Sequence, residues 1–251
     1  MNILLTNDDG ISAKGIKVLE KTLRNLKQNV FIIVPDRERS AISQAITLNA
    51  PIRMWKIKKN TYIIDGTPAD CVYLAMLGAV NFKPDIVVSG INKGPNMSED
   101  VVYSGTVAAA IEAAIWYIPS FAISIDGTKG KIYFETAGKI AQIIIKNLLK
   151  HKLPPRTFLN VNVPNLPFEK IKGIKITKLG SRRYEESLIK REDPQGNPYF
   201  WIGGEKVVWK EEKGTDYYEV KNGYVSITPL HLDFTDYKFM KKLKKWRWNG
   251  D

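Results

Sequence analysis

An apolar run over residues 3–6 leads without interruption into Asn7-Asp8-Asp9-Gly10. Behind it, residues 13–27 place Ile16, Leu19, Leu23 and Leu26 at helical spacing, and Val30 to Val34 form a second apolar run stopped by Pro35. Strand, helix and strand in that order demand a crossover of fixed hand and a parallel sheet, which leaves few architectures open. In an open sheet of this kind, ligands bind beyond the carboxyl ends of the strands. Asp8 and Asp9 stand at that edge. Neighbouring residues of a regular strand point to opposite faces, so the two carboxylates serve one site only if the chain turns between them, and Gly10 permits the turn. Paired carboxylates call for a compensating cation, and oxygen donors favour Mg²⁺, Mn²⁺ or Ca²⁺. A polar turn capping the next helix would use the same four residues.

The alternation continues. Asp36–Gln44 is a polar loop, and Ile52–Ile57 with Thr61–Ile64 reads as a β-hairpin excursion around Lys-Lys-Asn. Pro68 suits the start of a helix running to about Val80. Residues 85–89 are a third core strand, followed by the Gly-rich loop 90–100. Thr106–Trp116 is an Ala-rich helix, Ser120–Ile125 a strand, Tyr133–Leu149 a long amphipathic helix and Phe158–Val163 a last core strand. The fold class expected is α/β: a Rossmann-like three-layer core with a mostly parallel sheet. Residues 1–170 form that core and 223–230 return to it. Residues 171–251 form a β-rich arm and a basic, aromatic tail whose apolar residues lack a core of their own and suit a partner subunit.

Composition narrows the chemistry. The single cysteine, Cys71, excludes an internal disulfide framework and a Cys-rich metal site, and its apolar surroundings suggest an inert thiol. No run is long and apolar enough for a transmembrane helix and no export signal is visible, so the expected location is cytoplasmic, without membrane attachment. The formal charge of +12 is unevenly spread: residues 1–130 carry 14 basic and 12 acidic residues, residues 131–251 carry 24 and 14. A basic second half fits a solvated face, and it also fits a non-catalytic protein that binds nucleotides or RNA.

Three loops at the carboxyl edge carry the polar residues: 7–10, 36–43 and 89–96. Neither a Walker A loop nor a Gly-x-Gly-x-x-Gly fingerprint is present. Asn92 and Asn96 offer amides suited to one metal position and one oxyanion, or to a self-stabilised turn. Ser104-Gly105-Thr106 opens the Ala-rich helix, where free N–H groups and two hydroxyls suit phosphate, and where ordinary capping also places Ser or Thr. His151 and His231 lie far along the chain from these loops, and no Gly-x-Ser-x-Gly elbow occurs. Carboxylates, a hard metal, amides and a helix N-terminus together favour phosphate-ester chemistry.

The strings ILLTNDDGI (3–11), VPDRERSA (34–41), GTPADCV (66–72), VVSGINKGPN (87–96) and YSGTVAAAIEA (103–113) resemble the SurE family of survival-protein nucleotidases. Weaker echoes, FLNVNVP (158–164), ITKLGSR (176–182) and GYVSITPL (223–230), carry the resemblance over nearly the whole chain. It implies a metal-dependent phosphatase of nucleoside 5′- and 3′-monophosphates, with one Mg²⁺ or Mn²⁺ per subunit and no stable nucleic acid partner. It also implies homodimers or homotetramers joined through C-terminal arms. By the same resemblance the metal ligands fall on Asp8, Asp9, Ser40 and Asn92, and the phosphate contacts on Asn96, Ser104, Gly105 and Thr106. Asp8 and Asp9 then carry the reaction, through an attacking water or through an aspartyl-phosphate. Ala41 and Gln44-Ala45 depart from the Gly and Ser-rich residues common after Ser40, which touches base preference rather than catalysis.

Overall fold

The computed structural model describes residues 1–127, 130–184, 188–202 and 207–248. A nine-stranded sheet forms its centre. Strands β1 (Asn2–Thr6), β2 (Asn29–Pro35), β5 (Ile86–Lys93), β6 (Ser120–Asp126) and β7 (Thr157–Pro164) are joined by connections that contain helices and run parallel. β3 (Met54–Lys58) and β4 (Thr61–Ile64) form the expected hairpin. It is built into the sheet, with β4 parallel to β2 and β3 at the edge. At the other end β13 (Val225–His231) returns antiparallel to β7, and β8 (Ile174–Ile176) runs beside β13. The order is β3-β4-β2-β1-β5-β6-β7-β13-β8.

Two pairs of helices complete three layers. α1 (Lys14–Arg24) and α4 (Phe134–Leu148) cover one face, burying Ile16, Leu19, Leu23, Ile140 and Ile144 against Ile3, Leu5, Val88 and Ile123. α2 (Pro68–Met76) and α3 (Gly105–Ile115) cover the other, where Cys71, Val72, Ala109 and Ala113 meet Leu4, Ile33 and Val87. The alanines of α3 carry no long side chain, so the helix lies close to the sheet and nine of its eleven residues are buried. Each fully buried Leu, Ile or Val here contributes about 1.5–3 kcal/mol relative to exposure.

Element bounds differ from expectation where local chemistry decides. α2 ends at Met76 rather than near Val80, because Gly78 takes φ +85° and turns the chain out of the helix. β5 runs on through Lys93, so Asn92 sits on a strand rather than on a loop. The expected arm contains the antiparallel ribbon of β10 (Leu188–Glu192) and β11 (Pro198–Ile202), and the pair β9 (Arg182–Tyr184) and β12 (Val207–Trp209). After them in the chain, α5 (Asp216–Lys221) packs on the core strands β7 and β13. The tail carries the short helix α6 (Tyr237–Leu243). Residues 185–187, 203–206 and 249–251 of the expected arm and tail lie outside the described residues.

Gly15, inside α1, fixes how closely that helix approaches the sheet. A Cβ there would stand 2.0 Å from the Ile91 carbonyl oxygen. Alanine gains about 1 kcal/mol over glycine in helix propensity, whereas forcing a methyl into closed packing costs about 1–3 kcal/mol or more. The clash is with backbone and cannot be relieved by rotating a side chain. Gly15→Ala is therefore expected to lower the melting temperature by several degrees; an unchanged or higher melting point in thermal denaturation would contradict this packing.

Candidate functional site at the carboxyl edge of the sheet

β1 lies between β2 and β5, and the chain leaves it toward β2 first and reaches β5 later, so the strand order reverses between β1 and β5. A crevice forms at such a switch point. Thr6 pairs with Ser89 at its floor, and the chain then enters the Asn7–Gly10 turn. Asn7 closes the turn on itself: its side chain donates to the Gly10 carbonyl at 3.0 Å and accepts from the Gly10 N–H at 3.2 Å. Gly10 takes φ +81°, a conformation that strains other residues.

Asp8 is buried. The Thr106 hydroxyl donates to its Oδ1 at 2.6 Å, and the Thr106 N–H donates to its Oδ2 at 3.1 Å. The carboxylate thus sits on the N-terminus of α3, where the helix dipole favours negative charge. Its backbone carbonyl accepts the Arg39 N–H at 2.8 Å, which ties the loop after β2 to the same point. A Cβ on Gly105 would come within 3.0 Å of Asp8 Cβ and 3.1 Å of the Arg39 carbonyl, so a side chain at 105 would push these parts away from one another. Asp9 is half-buried and accepts the Lys93 backbone N–H, which brings in the residue next to Asn92.

Both carboxyls are held above the ordinary aspartate range. For Asp8 burial is the leading cause, opposed by the Thr106 bonds and reinforced by Glu38. For Asp9 burial, then the charge of Asp8, then that of Glu38 raise it to about 6. Among the described residues neither aspartate has a Lys or Arg at ion-pairing distance. Crowded anions without a paired cation are what a bound divalent ion would relieve. The remaining donors are of the right kind. Ser40 donates its hydroxyl to Glu38 at 2.6 Å, and Asn92 donates its amide to the Gly94 carbonyl at 2.9 Å, which keeps its Oδ1 for a cation. An all-oxygen set of two carboxylates, a hydroxyl and an amide fits Mg²⁺ or Mn²⁺. No group of three or more His, Cys, Asp or Glu suited to a metal occurs among the described residues, because two of these four donors are neutral.

The expected phosphate contacts separate. Ser104 caps α3, its Oγ accepting the Val107 N–H at 3.1 Å, and its hydroxyl proton is still available to an anion. The Thr106 hydroxyl is spent on Asp8, so of the first-turn donors the Gly105 N–H is left open among the described residues. Asn96 belongs to another group: its amide donates to Ser124 Oγ at 2.8 Å, its N–H to Asn162 Oδ1, and its carbonyl accepts from both Asn160 and Asn162. These bonds hold the 94–98 loop down on β6 and β7.

Several residues escaped the sequence. Glu38, which faces both aspartates, lies in a loop with three other charged residues and carries no distinguishing mark. Asn160 and Asn162 did carry a signal, polar side chains at alternate positions of an otherwise apolar strand. Lys14, Lys93, Lys131 and Tyr133 come from three distant segments and line a cleft of about 770 Å³ beside Asp9, and only folding brings them together.

The family described as Survival protein SurE matches residues 3–186. A protein of Aquifex aeolicus named 5′-nucleotidase SurE is 49% identical over 243 residues, covering 96% of each chain, and one of Geotalea daltonii with the same name is 47% identical over 98% of this chain and 99% of its own. The crystal structure of the Aquifex aeolicus SurE protein superposes with a TM-score of 0.87 at 48% identity, covering 97% of this chain and 98% of the other. Sequence and fold therefore converge, and the chain belongs to the SurE family.

Proposed function

We propose that this chain is a metal-dependent 5′-nucleotidase that hydrolyses nucleoside monophosphates to nucleoside and phosphate. The observation that carries the reading is the pair Asp8 and Asp9 at the switch point, crowded by Glu38, without a paired cation and facing a helix N-terminus. Relatives named 5′-nucleotidase that align over nearly their whole length support it. One divalent cation per subunit, Mg²⁺ or Mn²⁺, would be held by Asp8, Asp9, Ser40 and Asn92; when bound it screens the phosphate charge and makes water more acidic.

The chain's own groups then divide the work. Asp8, gripped by Thr106, is a fixed anion that positions the cation side of the site. Asp9, less buried and next to the cleft, orients the attacking water and takes its proton. The Ser104 hydroxyl, the Gly105 N–H and the positive end of α3 receive the phosphoryl oxygens, as helix N-termini do. Asn96 adds a contact only if its amide leaves Ser124. We favour water over an aspartyl-phosphate because both Asp8 oxygens already accept hydrogen bonds, which weakens them as nucleophiles. The same grip on phosphate serves 3′-monophosphates. In this reading residues 1–170, with 223–230, carry the reaction, and 171–251 join subunits into a homodimer or homotetramer. Exposed Leu188, Trp201 and Ile202 on an isolated two-stranded ribbon support that, since such a ribbon is not stable alone in water. The lone buried Cys71 suits the reducing cytoplasm.

Purified protein with Mg²⁺ or Mn²⁺ is expected to release phosphate from nucleoside 5′-monophosphates, and chelation should stop it. Asp9→Asn should lower kcat/KM by about 10²–10⁴, the usual scale for a lost general base. Undiminished release in chelator, or in Asp9→Asn, would remove the basis for this reading.

The raised carboxyls add a pH signature. A folded state that holds protons more tightly than the unfolded chain loses stability as pH rises from the ordinary aspartate value toward the folded value, here toward about 6 for Asp9. Cation and proton compete for the same oxygens. The melting-temperature gain from Mn²⁺ should therefore be larger at pH 7.5 than at pH 5, and largely absent in Asp9→Asn. An equal gain at both pH values, by differential scanning fluorimetry, would argue against binding at this pair.

A further inference from the structure

The cleft of about 770 Å³ that opens from Asp9 runs between the start of α1 and the segment leading into α4. That volume lies within the range of sites for small organic ligands. Lys14, Lys93 and Lys131 line it, with Tyr133 and Phe134 beneath. Lys131 Nζ lies 4.9 Å from the Tyr133 ring centroid and Lys14 Nζ lies 5.9 Å from that of Phe134. Among the described residues none of the three lysines is in an ion pair, although Glu135 also lines the cleft. Ammonium groups resting on ring faces keep their charge for an incoming anion.

General basicity does not explain this convergence. Lys14 and Lys93 belong to residues 1–130, where 14 basic and 12 acidic residues nearly balance. A nucleoside monophosphate does not explain it either: its one dianion goes to the N-terminus of α3 and to the cation that the aspartate pair would hold, and the nucleoside that would reach the cleft is neutral. Aromatic rings suit a nucleoside; three unpaired lysines suit a second phosphate. We propose that the cleft binds a second phosphate on the far side of the ribose, so that nucleoside 3′,5′-bisphosphates are preferred to monophosphates. The proposal rests on the nucleotidase reading above and goes beyond it in substrate class. Lys14 and Lys131, which rest on the aromatic rings, hold the far phosphate; Lys93 is shared with Asp9.

The test compares kcat/KM for adenosine 3′,5′-bisphosphate with that for adenosine 5′- and 3′-monophosphate on the full chain with Mn²⁺. At low ionic strength the bisphosphate should be favoured about tenfold, the scale of a few partly exposed ion pairs. Added salt should shrink the ratio, since the lysines are exposed. The double variant Lys14→Gln with Lys131→Gln should bring the ratio to within about twofold of one. Both lysines are exposed, so the variant should fold, and its melting curve checks this. A wild-type ratio near one, or a ratio that the double variant leaves unchanged, overturns the proposal while release from the monophosphates leaves the nucleotidase reading standing. Absence of release from every one of these substrates overturns both.

Discussion

The hydrogen-bonded seat of Asp8 on the first turn of α3 is the interaction on which the site depends. A buried carboxylate costs several kcal/mol unless it is compensated. Thr106 compensates it twice, with its hydroxyl and its N–H, and the end of the helix adds its dipole. That single contact joins residues 98 positions apart. It sets the distance between the end of β1 and the start of α3, and the Arg39 N–H on the Asp8 carbonyl adds the loop after β2. Gly105 makes the approach possible, because any Cβ there would lie against Asp8 and Arg39. Three chain segments thus meet at one residue with little freedom to drift.

The two adjacent carboxylates are consequently unequal. Asp8 has both oxygens engaged by Thr106 and little exposure. Asp9 has the Lys93 N–H and one side toward solvent, and its elevated proton affinity comes from burial and from the charges of Asp8 and Glu38 rather than from any bond to its neutral form. A group poised near 6 exchanges protons readily at neutral pH. The turn at Asn7–Gly10 is what allows this split, since it sends one side chain under α3 and the other into the crevice.

Much of the architecture was legible because burial writes periodicity into sequence. The strands of the parallel sheet are buried on both faces and read as unbroken apolar runs, and α1 and α4 show the stripe of one-sided burial. The Asp8-Asp9 pair was visible for the same reason, as charge standing at the end of an apolar run, although a polar capping turn would read alike. What stayed hidden depends on which donor meets which acceptor. Nothing in Ser104-Gly105-Thr106 announces that the threonine serves Asp8 and the serine caps the helix. Asn92 and Asn96, four residues apart and equally polar, go to different places, one to the crevice and one to the amides of β7. Lys131 and Tyr133 stand about 120 residues from Asp9, and their meeting follows only from the packing of α4 on α1.

The root of the arm is bound to the same region by a second buried carboxylate. Asp216 is fully buried and accepts from the Ser98 N–H at 2.8 Å, the Gly180 N–H at 2.9 Å and the Tyr217 N–H at 2.8 Å. A Cβ on Gly180 would stand 2.7 Å from Ser98 Oγ, so the chain passes the turn as closely as a glycine allows. Glu99 in that turn accepts from Ser181 and from the Arg182 N–H, and Asp100 pairs with Arg182. The carbonyl of Asp100 in turn accepts the Ser104 N–H at the cap of α3. A continuous run of bonds therefore leads from residues 180–182 to the N-terminus of α3. Four of these links hold a backbone N–H on a carboxylate, and such links shift only when an entire bond is broken. The arm leaves the core at a point the site itself keeps in place.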